Sequence, residues 1–226
     1  MLETQYLVVG DLHRQWNKLQ IIINGVYHKL YKGIILVGDI GLEFDQDIEN
    51  LKKLHIPKEI EIYAIHGNHD KPDFWHKAEV HIDRFHFIQN GQIIELAGEN
   101  VLFYGGANSP DVLSRVEGFN WFANEVPSQK ECNDFLELLQ QQQPHIDVVI
   151  THECPGFVPI HDHLGFRKDD PQLFYMCRFL QEVYDILEHK PRRWFFGHYH
   201  TSWIWSNGTT EFVCKDLVKT PIKRAE

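Results

Sequence analysis

Five times along the chain an apolar run of strand length stops at glycine or threonine and is followed at once by aspartate, asparagine or histidine. Tyr6–Val9 leads to Gly10-Asp11-Leu12-His13, and Ile34–Val37 leads to Gly38-Asp39. Ile62–Ile65 precedes Gly67-Asn68-His69-Asp70, Val148–Ile150 precedes Thr151-His152, and Trp194–Phe196 precedes Gly197-His198-Tyr199-His200. Short runs that are apolar at every position belong to strands covered on both faces. Aspartate, asparagine and histidine favour turns for conformational reasons, so one such stretch would mean little. Five together place a set of oxygen and nitrogen donors at strand ends, and suggest one composite site for two metal ions.

The rest of the chain supports a layered α/β arrangement. After the first turn, Trp16, Leu19, Ile22, Ile23, Val26 and Leu30 recur at helical spacing. A second helix is expected over about Asp45 to Leu54, closed by Pro57. The order is then β-α-β-α-β with polar residues after each strand, the side on which ligands bind in open α/β sheets. From His86 the pattern changes to short strands at Phe87-Ile88, Ile93–Leu96 and Val101–Tyr104, read as antiparallel around tight turns. A loop from Gly105 to Pro127 is too long for a simple connector. Ser128-Gln-Lys-Glu131 has the form of a capping box and opens a helix through about Gln141. A second long loop, Pro155 to Asp170, leads to a helix with Leu173, Met176, Cys177, Leu180, Val183, Tyr184 and Leu187 on one face. Asn207-Gly208 marks a terminal hairpin. No repeat or linker interrupts the chain, so one domain over residues 1–226 is expected, with a loose tail over about 216–226.

Composition narrows the function. With 226 residues, 43% hydrophobic and 24% charged, the chain is ordinary for a globular protein. It carries no apolar stretch long enough to span a membrane and no signal-peptide pattern, so a cytoplasmic protein without a membrane partner is expected. A formal charge of −10 disfavours binding to nucleic acid polymers, which relies on a basic footprint. It leaves room for a small phosphorylated substrate, because two bound cations reverse the local field. Cys132, Cys154, Cys177 and Cys214 are widely spaced and expected as reduced, buried thiols.

A pair of divalent ions needs a bridging carboxylate flanked by neutral nitrogen and oxygen donors. The motifs supply an Asp-x-His pair, a lone Asp, an Asn, a lone His and a His-x-His pair. Mixed imidazole, carboxylate and amide donors suit a transition metal, Mn first and then Fe, Zn or Ni. No thiolate falls at a donor position, which argues against a structural zinc site.

The series GD-x-H, GD, GNHD, lone His, GH-x-H, in this order from Asp11 to His200, resembles the calcineurin-like metallophosphoesterases. That resemblance implies a two-sheet β-sandwich flanked by helices and a dinuclear site. Asp11, His13 and His200 would bind one ion, Asn68, His152 and His198 the other, and Asp39 would bridge them. His69 corresponds to the catalytic histidine that contacts phosphate and protonates the leaving group. The implied reaction is attack on a phosphate ester by a metal-bridging hydroxide, and Asp70 would orient the turn or the histidine.

Departures from the pattern matter too. The protein serine/threonine phosphatases of the superfamily carry GD-x-x-DRG and GNHE, whereas Asp39 is followed here by Ile40-Gly41-Leu42-Glu43. The phosphate-binding arginine of that motif is absent, so a small ester or diester such as a nucleotide is expected over a phosphoprotein. Two alternatives are a protein phosphatase on the same site and a scaffold that keeps the fold without catalysis. Arg14 and Arg115 are candidates to replace the missing arginine, and His161 and His163 to touch substrate from the second loop. Gly105-Gly106 is either a structural turn or a substrate wall. Phe119, Trp121, Phe157 and Phe166 either stack on a ring or close the loops onto the core.

Overall fold

Parallel pairing joins the first three apolar runs. In the computed structural model, which describes residues 1–76, 80–165, 174–217 and 223–224, β1 (Tyr6–Val9), β2 (Gly33–Val37) and β3 (Glu61–Ile65) lie side by side. Their register sets Tyr6 beside Gly33 and Gly33 beside Glu61, and β4 (Phe85–Phe87) completes a four-stranded sheet in the order 1-2-3-4. The strand read near His86 is therefore not antiparallel: Ile62 pairs with Phe85 in parallel. An antiparallel pair begins only with β5 (Ile93–Leu96) and β6 (Glu99–Tyr104).

The second sheet follows the order β11-β9-β10-β8-β7-β6-β5. Here β7 is Val148–Thr151, β8 Arg193–Phe196, β9 Trp203–Ser206, β10 Glu211–Cys214 and β11 Lys223–Arg224. β6, β7, β8 and β10 run parallel, and β9 returns antiparallel through the Asn207-Gly208 hairpin. Within the segment expected as a tail, Lys223–Arg224 pairs with Trp203-Ile204; residues 218–222, 225 and 226 lie outside the described residues.

Alternation along the strands builds three apolar layers. Tyr6, Val8, Ile35, Val37, Val101, Phe103, Val148, Ile150, Phe195 and Val213 meet between the sheets. The intervening residues Ile34, Leu36, Ile62 and Ala64 face α1 (Trp16–His28), α2 (Asp45–Lys52) and the short α3 (Asp73–His76) on one outer side. Val149, Trp194, Phe196 and Phe212 face α4 (Gln129–Gln142) and α6 (Tyr175–Ile186) on the other. Each large apolar side chain taken wholly out of water contributes roughly 1.5–3 kcal/mol. The central strands β2 and β7 are buried at every position, covered on both faces, which explains why they read as unbroken apolar runs.

The Ser128 capping box forms, with the Ser128 hydroxyl and the Glu131 carboxylate closing the first turn of α4. Two short helices, α3 and α5 (Ile160–Leu164), are too short for a periodic signal, and α5 arises within the segment expected as the second long loop. All four cysteines are free and buried. Phe157 packs on Tyr184, Trp205 and Phe212 and so closes its loop onto the core. Phe166 and Leu173 lie outside the described residues.

Candidate metal centre

The turns after β1, β2, β3, β7 and β8 gather at one edge of the sandwich. Most are strained: Asp11, His13, Arg14, Asp39, His198 and His200 all take positive φ, between 43° and 68°. Non-glycine residues seldom adopt this region, and clusters of them mark functional sites. Glycine is needed at Gly67 for a different reason. A Cβ there would collide with Asp39 and approach His152 Nε2 to 2.7 Å, so only a bare backbone lets the two sheets' turns close together.

Asp70 ties these turns into one piece. Its buried carboxylate accepts from the backbone N–H groups of Gly67 (2.8 Å), Ile40 (3.1 Å), Gly41 (2.7 Å) and Leu42 (2.9 Å). Burial, with Asp39 adding repulsion, pushes its pKa up to about 6 although these N–H groups oppose the shift.

Two donor sets meet at Asp39. Asp11, His13, Asp39 and His200 present one donor atom each within 4.8 Å of one another. On the other side, the Asn68 Oδ1 lies 3.2 Å from His152 Nε2 and 3.0 Å from His198 Nδ1. Asp39 reaches both, with Oδ2 at 3.6 Å from His13 Nε2 and Oδ1 at 3.2 Å from His152 Nε2. His69 donates its backbone N–H to Asp39 Oδ1 at 2.9 Å, which sets its ring 5.0 Å from that of His13.

These donors fit cations. Asp11 Oδ2, His13 Nε2 and Asp39 Oδ2 are buried without a hydrogen-bond partner. His152 donates Nδ1–H to the Val37 carbonyl, so its Nε2 points an available lone pair at two oxygens, Asp39 Oδ1 and Asn68 Oδ1. Oxygen and nitrogen lone pairs repel unless something positive lies between them. Without an ion a proton plays that part: burial opposes the charge on His152, but Asp39 outweighs it and lifts the pKa to about 10. Burial likewise pushes Asp11 up to about 7, and holds His13 down to about 4 and His198 to about 3. Asp39 sits below the usual carboxylate range because His152 overcomes its burial.

The remaining candidates divide. Arg115 is nearly buried and places Nη2 at 2.8 Å from His69 Nε2, while ion-paired to Asp111 at 2.6 Å. Arg14 points instead to carboxylates, with paired bonds to Asp47 at 2.9 and 3.0 Å and a contact with Glu43 at 3.1 Å. Neither His161 nor His163 joins the donor sets. His161 is buried in α5 with Nε2 at 2.6 Å from the Tyr199 hydroxyl, and exposed His163 lies with its ring 6.0 Å from Trp203. Gly105 and Gly106 pack on the backbone and ring of His66, so they act as a structural turn.

One positioning pair escapes the motifs. The Asn68 amide donates to Ser109 Oγ at 3.2 Å, and buried Glu125 accepts from both the Ser109 hydroxyl (2.6 Å) and its N–H (2.7 Å). This holds the Asn68 nitrogen away from the centre and its oxygen towards His152 and His198. Nothing in the spacing of Ser109 and Glu125 marks them; the length of their loop was the only signal.

Two helix-flanked sheets carrying clustered metal donors at their strand ends define a metallophosphoesterase architecture. The chain belongs to the calcineurin-like phosphoesterase family, whose model matches residues 4–202. This family is generally dependent on two metal ions. Among solved structures, TT1561 of Thermus thermophilus is similar at 12% identity and TM-score 0.58, covering 94% of this chain and 89% of that one. Phosphopantetheinyl hydrolase (PptH) of Mycobacterium tuberculosis is similar at 12% identity and TM-score 0.53, over the same shares. GAP50, the anchor in the inner membrane complex of Plasmodium, gives 12% identity and TM-score 0.51, with 93% and 70% covered. No curated protein matches the chain. Among the described residues, no helix is long and apolar enough to cross a membrane.

Proposed function

We propose that the chain is a dinuclear metal-dependent phosphoesterase acting on a small phosphate ester or diester, nucleotide-like in size. The observation that carries this reading is the reach of Asp39 to both donor sets while its Oδ1 also holds the backbone of His69. Asp11, His13, Asp39 and His200 would hold one ion, and Asp39, Asn68, His152 and His198 the other. Manganese suits these donors best, with Fe, Zn or Ni as substitutes. When bound, such ions lower the pKa of a water nucleophile and neutralise charge on the phosphoryl oxygens.

The chain's own groups do the rest. His69 hands a proton to the leaving oxygen. Burial, reinforced by Arg115 and only partly offset by Asp39, lowers its pKa and makes its protonated form a stronger donor. Arg115 supplies the guanidinium for phosphate oxygens in place of the arginine missing after Asp39. The four reduced thiols agree with a cytoplasmic setting.

The test compares p-nitrophenyl phosphate with bis-p-nitrophenyl phosphate under Mn, Ni, Zn and Mg, for wild type and His69→Ala. Diester turnover, lost in the variant while two ions per chain remain, is the expected result. Monoester turnover alone would narrow the reading to a nucleotidase or turn it to a protein phosphatase. Full occupancy without turnover of either ester would favour a scaffold.

A further inference from the structure

Behind His198, on the side away from Asn68, lies a buried polar cluster with no part in the donor sets. Glu153, Cys154, His161, Cys177 and Tyr199 come together there from the end of β7, from α5, from α6 and from the turn after β8. The apolar neighbours are Val158, Ile160, Met176 and Phe196. A carboxylate in such surroundings is costly unless it is paired and hydrogen-bonded. Glu153 is 2% exposed.

The carboxylate is held from several directions. Its Oε1 accepts from the Cys154 N–H at 2.8 Å and from the Tyr199 hydroxyl. Its backbone carbonyl accepts from the Thr151 hydroxyl, whose oxygen in turn receives Trp194 Nε1–H at 2.7 Å. The Tyr199 hydroxyl also meets His161 Nε2 at 2.6 Å. These bonds aim the other oxygen, Oε2, at His198 Nε2, 3.7 Å away.

The two ring nitrogens of His198 therefore face different partners. Nδ1 looks at Asn68 Oδ1 at 3.0 Å, inside the candidate centre, and Nε2 looks at Glu153. A neutral imidazole can offer a lone pair at Nδ1 only if its proton sits on Nε2, and the group facing the second nitrogen decides this. His152 solves the same problem with the Val37 carbonyl, which receives its Nδ1–H at 2.7 Å. We infer that Glu153 is the positioning residue of His198: it selects the Nε2–H tautomer and fixes the ring so that Nδ1 serves as a metal donor. Tyr199 and His161 brace the carboxylate from behind. The inference rests on the proposal that His198 is a metal ligand. It also gives His161, a candidate for substrate contact from the sequence, a place in a hydrogen-bonded chain that ends at the centre.

The test titrates metal-free protein with Co2+, following bound ion per chain and absorption, in wild type, Glu153→Ala and Glu153→Gln. Wild type is expected to take up two ions. Glu153→Ala is expected to bind one of them about 10- to 100-fold more weakly and the other unchanged, as loss of such a partner does elsewhere. Glu153→Gln keeps a near-isosteric acceptor oxygen and is expected to fall between the two; a loss confined to one of the two ions is what general loosening of the fold would not produce. Wild-type affinity for both ions in both variants, with wild type itself binding two, overturns this inference and leaves the metal reading standing. No uptake by wild type takes down both. Donor atoms of Glu153, His161 and Cys177 also lie within 4.8 Å of one another. A third ion per chain with a thiolate-to-cobalt absorption band, removed by Cys177→Ser, would make Glu153 a ligand of its own ion and overturn the inference as well.

Discussion

The Nδ1–H of His152 donates to the Val37 carbonyl at 2.7 Å, joining residues 115 positions apart in the chain. One belongs to the turn after β7 in the larger sheet and the other ends β2 in the smaller. The bond crosses the sandwich at the edge where the strained turns collect, and it leaves His152 Nε2 facing Asp39 and Asn68. The candidate centre is therefore a seam between two sheets, and its donors depend on how those sheets pack.

Cations should hold that seam together. With buried oxygens on Asp11 and Asp39 lacking partners, chelation is expected to lower Tm. An ion at a hundred times its Kd contributes about 2.7 kcal/mol, which for a chain of this size is roughly 5–10 °C per ion. Thermal melts with and without chelator measure the change, and Asp39→Asn should abolish most of it. Equal melting temperatures for loaded and chelated wild type would count against a metal centre.

The two arginines should behave differently. Arg115 sits against His69, whereas Arg14 is neutralised by Asp47 and Glu43. Arg115→Ala is expected to lower kcat/KM by roughly 10- to 100-fold, the worth of one charged hydrogen bond. Arg14→Ala should change it by less than about threefold, since its bonds tie the β1 turn to α2. Steady-state kinetics on one ester decides between them, and the reverse ranking would return Arg14 to the site.

Asp70 is expected to act through structure. Replacing it with Ala strands four buried N–H groups, each costing about 1–3 kcal/mol when left unpaired. Urea unfolding should show a loss above about 3 kcal/mol, with Asp70→Asn intermediate because one acceptor oxygen survives. A loss below about 1 kcal/mol would show that the turns are held by something else.

His66 should make the fold acid-sensitive. It is buried beside Trp75, and burial lowers its pKa to about 4. Between pH 6.5 and about 4 the unfolded chain takes up a proton that the folded chain refuses, so stability is full above this window and falls as pH drops through it. The shift corresponds to about 3 kcal/mol. Urea unfolding at pH 7 and pH 5 should therefore show a smaller acid loss in His66→Gln than in wild type. Equal losses would mean His66 titrates normally.

Much of the architecture was legible because burial on both faces leaves a plain mark. Runs such as Ile34–Val37 and Val148–Ile150 are apolar throughout, and the residues that follow them are the donors that converge. The Ser128 capping box was legible for a local reason, since its partners are three residues apart. Pairing direction was not: β4 is too short to reveal whether it joins β3 in parallel or begins a hairpin. Arg14 and Arg115 were equal candidates to replace the missing arginine, since each offers a guanidinium, and only packing gave one to Asp47 and the other to His69.

What the chain determined by itself is what is local: strand-length apolar runs, the donor types that end them, and helix starts set by neighbouring side chains. What tertiary structure decided is what needs two distant residues at once. The Val37 carbonyl that sets the His152 tautomer, the Asp70 clamp on Gly41 and Leu42, and the Ser109–Glu125 hold on Asn68 depend on separations of 28 to 115 positions, except the last step within one loop. No periodicity records such pairs, because the free energy that joins them comes from packing two sheets together and not from any preference along the chain.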